Sequence, residues 1–125
     1  MPKLKVKLLI IDDEKDICEF QKSYFKKRGL DTYTSQTGAK ALALARKARP
    51  DIAIIDIHLS KGADGLEILK KLLKINPLCR CIMVSWDREK AEEAKTLGAT
   101  GFLIKPVVLP ELERAVNKII KKPAK

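Results

Sequence analysis

The sequence predicts an α/β domain in which a doubly wound, five-stranded parallel sheet lies between two layers of helices, and three observations lead there. Near-continuous apolar runs stop abruptly on acids, as in Val6–Ile11 before Asp12-Asp13 and Ile52–Ile55 before Asp56; this is the pattern of strands buried on both faces. Between such runs, apolar residues recur with a helical period. The connections are short, and parallel neighbours joined by helices need right-handed crossovers that cover both faces of the sheet.

Each element has its own warrant. Val6–Ile11 is the first strand. Helix one begins at Glu14, carries Ile17, Phe20 and Tyr24 as its inner stripe, and takes Gly29 as its C-terminal cap. Thr32–Ser35 is a short β-branched strand, and Thr37 caps a helix with Ala41, Leu42, Ala45 and Ala48 facing inward, ended by Pro50. Ile52–Ile55 forms the third strand. The segment from His58 to Asp64 contains Gly62 and no periodicity, which makes it a loop, and Asp64 with Glu67 resembles a capping box before the stripe Leu66, Leu69, Leu72, Leu73. Cys81–Val84 is a strand ending at Ser85, followed by Asp87 as the cap of a weakly amphipathic helix with Ala91, Ala94 and Leu97. Gly101–Ile104 is the last strand. Pro110 opens a final helix with Leu112, Ala115, Val116 and Ile119 inward.

The chain has 125 residues, the size of one domain, so residues 1–125 are expected to form a single unit. A hydrophobic share of 46% beside a charged share of 34% excludes a disordered or collagen-like chain. Apolar stretches such as Leu8–Ile11 and Phe102–Ile104 are far short of the roughly 20 residues that cross a bilayer. Acids interrupt the basic start before a signal-peptide apolar region develops. A cytoplasmic protein without membrane contact is the expectation. Cys18, Cys79 and Cys81 cannot all pair within one chain and show no metal-ligand spacing, so reduced core thiols are expected. The net charge of +10 favours solubility and attraction to acidic partners. Its lysines and arginines are spread over helix faces, and with aromatics at 5% and no binding motif, specific nucleic-acid binding is not expected.

In open parallel sheets, ligands bind beyond the carboxyl ends of the strands. Those ends carry Asp12 and Asp13, Asp56, Ser85 and Lys105. Three carboxylates close together repel one another unless a cation lies among them, and magnesium, which favours oxygen ligands and accepts one or two carboxylates beside a phosphate, suits the set. With a phosphoryl group present, Lys105 supplies charge and Ser85 a hydrogen bond. Asp56, alone at its strand end, is the best nucleophile. Taken singly, Asp12-Asp13 reads as a helix cap, Asp56 as a loop-starting acid and Lys105 as a surface lysine, and their joint placement at successive strand ends argues against those readings; Phe102 by itself reads as plain core.

The segments Leu9-Ile10-Ile11-Asp12-Asp13-Glu14, Pro50-Asp51 through Ile55-Asp56, Asp64-Gly65-Leu66-Glu67, Ser85 and Lys105-Pro106 resemble response-regulator receiver domains of the chemotaxis-regulator type over essentially the whole chain. The resemblance implies a flavodoxin-like strand order 2-1-3-4-5. It implies that Asp56 accepts a phosphoryl group from a histidine kinase or phosphotransfer protein, and that Asp13, Asp56 and the His58 backbone carbonyl ligate Mg2+ while Asp12 assists through water. It also implies that Lys105 contacts the phosphoryl group, that Ser85 moves toward it, that Phe102 rotates inward as the aromatic switch, and that the Lys105-Pro106 bond is cis. A downstream protein or effector domain would then read the face of helix four, strand five and helix five. Such a domain is a signalling switch, not an enzyme acting on a separate substrate, though it assists its own phosphorylation and dephosphorylation. Four features depart from the family pattern, one of them the basic charge balance. The loop Ser60-Lys61-Gly62-Ala63 is one residue longer and lacks a proline, Trp86 stands where a smaller residue is commoner, and Phe102 lacks the hydroxyl of tyrosine. His58 and Asp87, two residues beyond the acceptor and the switch hydroxyl, occupy places that tune acyl-phosphate hydrolysis in the family. The His58 side chain reads as exposed on its loop and Trp86 as a half-buried rim residue.

Two other classes compete. A small haloacid-dehalogenase-type aspartyl-phosphate phosphatase expects a D-x-D nucleophile after strand one, whereas Asp12 and Asp13 are adjacent. A flavin module expects a Ser, Thr or Gly-rich phosphate turn there, where this chain has acids.

Overall fold

The computed structural model describes residues 5–59 and 64–121. The elements run β1 (Lys7–Ile11), α1 (Lys15–Lys26), β2 (Asp31–Ser35), α2 (Gly38–Ala48), β3 (Ile52–Asp56), α3 (Gly65–Ile75) and β4 (Arg80–Ser85). A 3-10 turn (Arg88–Lys90) then leads into α4 (Ala91–Thr96), β5 (Gly101–Ile104) and α5 (Leu109–Lys121). The five strands are parallel, in the order β2-β1-β3-β4-β5. The fold is thus the doubly wound sandwich expected from the alternating apolar runs. The loop residues Ser60–Ala63, including Gly62, and the tail Lys122–Lys125 lie outside the described residues.

Strand alternation divides the interior in two. Leu8 and Ile10 of β1, Ile52 and Ile54 of β3, and Ile82 and Val84 of β4 face α1 and α5, where they meet Phe25, Leu112 and Val116. Leu9, Ile11, Ala53, Ile55, Cys81 and Met83 face the opposite layer, against Ala41, Ala45, Leu66, Leu69, Leu72 and Ala94. Pairs such as Ile10 with Ile54 and Ile54 with Ile82 keep like parity in register across the sheet. Both faces of β1 and β3 are therefore apolar, as the unbroken runs required.

The inner stripe of α1 differs from the sequence expectation: Phe20 is 71% exposed, while Cys18 and Phe25 are buried. Ile17 and Tyr24 are half-buried, Tyr24 against the core, so docking on the sheet centres the inner face on Cys18 and Phe25 and leaves only Phe20 of the expected stripe outside it. Gly29, with φ of 88°, turns the chain after α1 as expected. At the end of α2, Arg49 adopts a left-handed conformation with φ of 51°, consistent with the disfavour for helical geometry just before Pro50. Thr37 caps α2 through Lys40 N, and Asp64 caps α3 through Leu66 N. Glu67, the other half of the expected capping box, pairs with Lys70 at 3.4 Å. Asp87 caps the 3-10 turn, and α4 follows as a six-residue helix that buries Ala94. Cys18, Cys79 and Cys81 are unpaired and buried. Among the described residues no helix is long and apolar enough to cross a membrane.

Candidate functional site

Strand parity builds the site. Asp12 continues the face of Leu8 and Ile10 beyond β1, and Asp56 ends β3 on the face of Ile52 and Ile54. Both line a cleft of about 490 Å³ at the carboxyl edge of the sheet with Ile10, Ile54, Val84 and Lys105. Lys105 Nζ donates to Asp56 Oδ2 at 2.7 Å, and Asp56 Oδ1 accepts from the His58 N–H at 3.0 Å. Asp12, Asp13 and Asp56 each offer a carboxylate oxygen, all within 4.8 Å of one another. Asp12-Asp13, Asp56 and Lys105, which the sequence placed at three separate strand ends, are therefore one constellation.

Local structure fixes these positions. Asp12 Oδ1 accepts from the Glu14 N–H at 3.0 Å, and Asp12 N donates to Ser35 O at 3.1 Å. The buried Cys18 thiol donates to Asp12 O at 3.2 Å and ties helix α1 to the acidic turn. Glu14, not either aspartate, occupies the N-cap of α1 and makes no side-chain cap bond. At α3, Gly65 passes directly over the end of β3: a Cβ there would meet Asp56 O and lie 2.6 Å from Ile57 Cα. The Gly65 N–H donates to Ile57 O at 2.8 Å. Only a residue without a side chain allows that approach.

The electrostatics follow from burial. Desolvation pushes the Asp12 carboxyl up to about 6 from an ordinary 3.8; the Glu14 amide opposes the shift, and the nearby Asp56 charge adds to it. Burial also works against the Lys105 ammonium, but its hydrogen bond to Asp56 and the charges of Asp56, Asp12 and Glu14 outweigh that and hold its pKa above the ordinary value. Burial beside Asp12 raises the Cys18 thiol to about 11, as befits a structural, unreactive group. Three clustered carboxyls, one driven up by desolvation and one met by the Lys105 ammonium, form an oxygen-rich donor set. That set fits a hard divalent cation.

Ser85 and Phe102 lie on the other face of the sheet edge. Ser85 pairs with Ile104 and Phe102 with Met83, so both side chains share the parity that faces the α2–α4 layer. Phe102 is half-buried and packs against that core. Ser85 is fully buried, and its Oγ accepts from the Asp87 N–H at 2.8 Å. The Lys105-Pro106 bond is cis.

His58 departs from its expected exposed position. It is half-buried, its Nε2 lies 2.9 Å from Ser85 Oγ, and its ring stacks on Trp86 with centroids 4.8 Å apart and planes at 22°. An antiparallel bridge joins the His58 main chain to Asp64. The sequence carried no periodic signal for the ring contacts, because the partners lie 27 and 28 residues away. Trp86 is 66% exposed, further out than a half-buried rim residue.

A parallel sheet whose central strand ends in a buried aspartate, with two further acids and a lysine converging on it, defines a class of α/β domain built to bring an anionic group and a cation together. Comparison with known proteins resolves that class. The response regulator receiver domain matches residues 8–117. Sporulation initiation phosphotransferase F of Bacillus subtilis is 34% identical over 116 residues, covering 91% of this chain and 93% of that protein. The alkaline phosphatase synthesis transcriptional regulatory protein PhoP of the same organism is 28% identical over 118 residues, covering 93% of this chain but 49% of its relative. Among solved structures, the chemotaxis protein CheY4 of Vibrio cholerae superposes with a TM-score of 0.85 at 28% identity, covering 93% of this chain and 99% of that one. The chain belongs to the response regulator receiver domain family, the signalling domains of two-component systems.

Proposed function

We propose that residues 1–125 form one phosphorylation-controlled switch in which Asp56 accepts a phosphoryl group from a histidine kinase or phosphotransfer protein. One observation carries this reading: the buried Asp56 carboxylate has the Lys105 ammonium 2.7 Å from one oxygen and carboxylate oxygens of Asp12 and Asp13 within 4.8 Å. In the transfer, an Asp56 carboxylate oxygen attacks the phosphorus of a phosphohistidine. The new P–O bond forms as the P–N bond breaks, and the electron pair leaves with the imidazole nitrogen. Lys105 offsets the negative charge gathering on the equatorial oxygens.

Asp12, Asp13, Asp56 and the His58 backbone carbonyl would hold Mg2+, which supplies charge neutralisation for the carboxylates and the phosphoryl oxygens. Ser85 then donates its hydroxyl to a phosphoryl oxygen, and Phe102, on the same face, follows it inward. Without a hydroxyl of its own, Phe102 acts through packing alone. The change biases the face of α4, β5 and α5 toward a downstream protein or effector domain, as a shift between two pre-existing arrangements. The cytoplasm is the compartment in which such a switch meets its kinase.

The test is exposure to a small phosphodonor with and without Mg2+, followed by intact-mass measurement of the parent and of Asp56→Asn. A labile phosphoryl adduct is expected on the parent alone and only with the divalent cation. Equal phosphorylation of Asp56→Asn, or an adduct formed without the cation, overturns the assignment.

A further inference from the structure

The imidazole of His58 has no role in the transfer just described, which uses only the backbone of that residue. Yet His58 touches both halves of the switch. Its N–H donates to Asp56 Oδ1 at 3.0 Å, and its Nε2 lies 2.9 Å from Ser85 Oγ. The bridge between His58 and Asp64 fixes its main chain, so the ring is held by Ser85 on one side and by the stacked indole of Trp86 on the other.

A hydroxyl has one hydrogen and two lone pairs. At Ser85 one lone pair accepts from the Asp87 N–H at 2.8 Å. In one imidazole tautomer the serine hydrogen goes to His58 Nε2. In the other, Nε2–H fills the second lone pair, and the serine hydrogen turns to Asp87 O at 3.5 Å. Either way the buried hydroxyl is engaged on both sides, and moving it to a phosphoryl oxygen breaks its bond to His58.

We propose that His58, buttressed by Trp86, is a latch: a positioning residue that holds Ser85 in the unphosphorylated arrangement and opposes switching. The proposal rests on the reading of Asp56 and Ser85 above and extends it by assigning the side chains of His58 and Trp86. The indole, 66% exposed, contributes little to the core. Its stacking restrains the imidazole that would otherwise swing toward solvent.

The experiment titrates the full chain with beryllofluoride, a mimic of the phosphoryl group on a carboxylate, in the presence of Mg2+. Fluorescence of the single tryptophan and backbone amide spectra are the readouts. Binding to the parent is expected to alter Trp86 emission as the stack on His58 loosens. His58→Ala removes one net hydrogen bond from the unswitched state and is expected to tighten apparent binding by about fivefold. His58→Gln, still able to reach Ser85, is expected to bind nearly as the parent does. Trp86→Ala, followed by amide spectra, moves affinity in the same direction as His58→Ala but by less. In a Ser85→Ala background, the His58→Ala effect disappears. Unchanged or weaker binding by His58→Ala, or tightening that persists without the Ser85 hydroxyl, overturns the latch while leaving the Asp56 reading intact. Absence of any Asp56-dependent binding overturns that reading and the latch with it.

Discussion

Lys105 Nζ reaches Asp56 Oδ2 at 2.7 Å although their strands are not neighbours: β4 lies between β3 and β5. The lysine therefore spans the end of β4, where Ser85 sits. The carboxylate is almost wholly buried, with 3% of its side chain exposed against 30% for the lysine, so the ammonium acts where water screens it poorly.

Replacing that ammonium tests its part in phosphorylation. Lys105→Met is expected to slow adduct formation from a small phosphodonor by about a hundredfold, the scale seen when one preorganised charge-stabilising donor is lost. Lys105→Arg keeps the charge but presents a planar fork in place of a compact head, and recovers only part of the rate. The time course of intact mass measures both. Unchanged phosphorylation of Lys105→Met would remove the lysine from the mechanism.

Gly65 gives a second expectation. A methyl group there meets Asp56 O and sits 2.6 Å from Ile57 Cα, and backbone cannot step aside as a flexible side chain can. Gly65→Ala is expected to cost about 1–3 kcal/mol in chemical denaturation, the range for overpacking. It also displaces the N-terminus of α3 from the acceptor strand, so amide resonances around Asp56 should shift. A neutral substitution would show that α3 can draw back from β3 at little cost.

Much of the site was legible because it depends on strand parity and strand ends. Asp12, Asp56, Ser85 and Lys105 each follow an apolar run, and a parallel sheet aligns the ends of its strands whatever the intervening helices contain. The ring of His58 was not legible, because it lies in an aperiodic stretch and its contacts are with Ser85 and Trp86, far away in sequence. The Gly65 approach was hidden for a similar reason: the sequence signals a helix start at Asp64 but not the distance of that helix from β3. In α1, periodicity found the helix and placed Ile17 and Tyr24 at the edge of its inner face, but wrongly took Phe20 inward and missed Cys18 and Phe25 at its centre.

That difference in α1 makes a contrast of two phenylalanines. Phe25 is 1% exposed and packs among Leu8, Ile10 and Val116, whereas Phe20 is 71% exposed. Phe25→Ala is expected to cost about 3–5 kcal/mol through lost burial and a residual cavity. Phe20→Ser should stay within about 0.5 kcal/mol of the parent. Urea denaturation of the two variants separates them, and a large loss for Phe20→Ser would mean that this face of α1 is covered in solution.

The contact between α1 and α5 carries a pH dependence away from the acidic site. Glu113 accepts from Tyr24 OH at 2.6 Å and from Arg28 Nε at 2.7 Å, and the Arg28 guanidinium lies 3.6 Å over the Tyr24 ring. The Tyr24 hydrogen bond, then that of Arg28 and its charge, holds the Glu113 carboxyl below its ordinary 4.5. A carboxyl whose pKa is lower in the folded chain binds fewer protons there than in the unfolded chain. Its contribution to stability is therefore complete above the unfolded pKa and disappears as pH falls through the folded one. Glu113→Gln should melt at a lower temperature than the parent at pH 7, with the gap narrowing below about pH 4.5 and closing once the parent carboxyl is protonated. A gap that stays constant down to pH 3 would assign the loss to packing of the side chain instead of its charge.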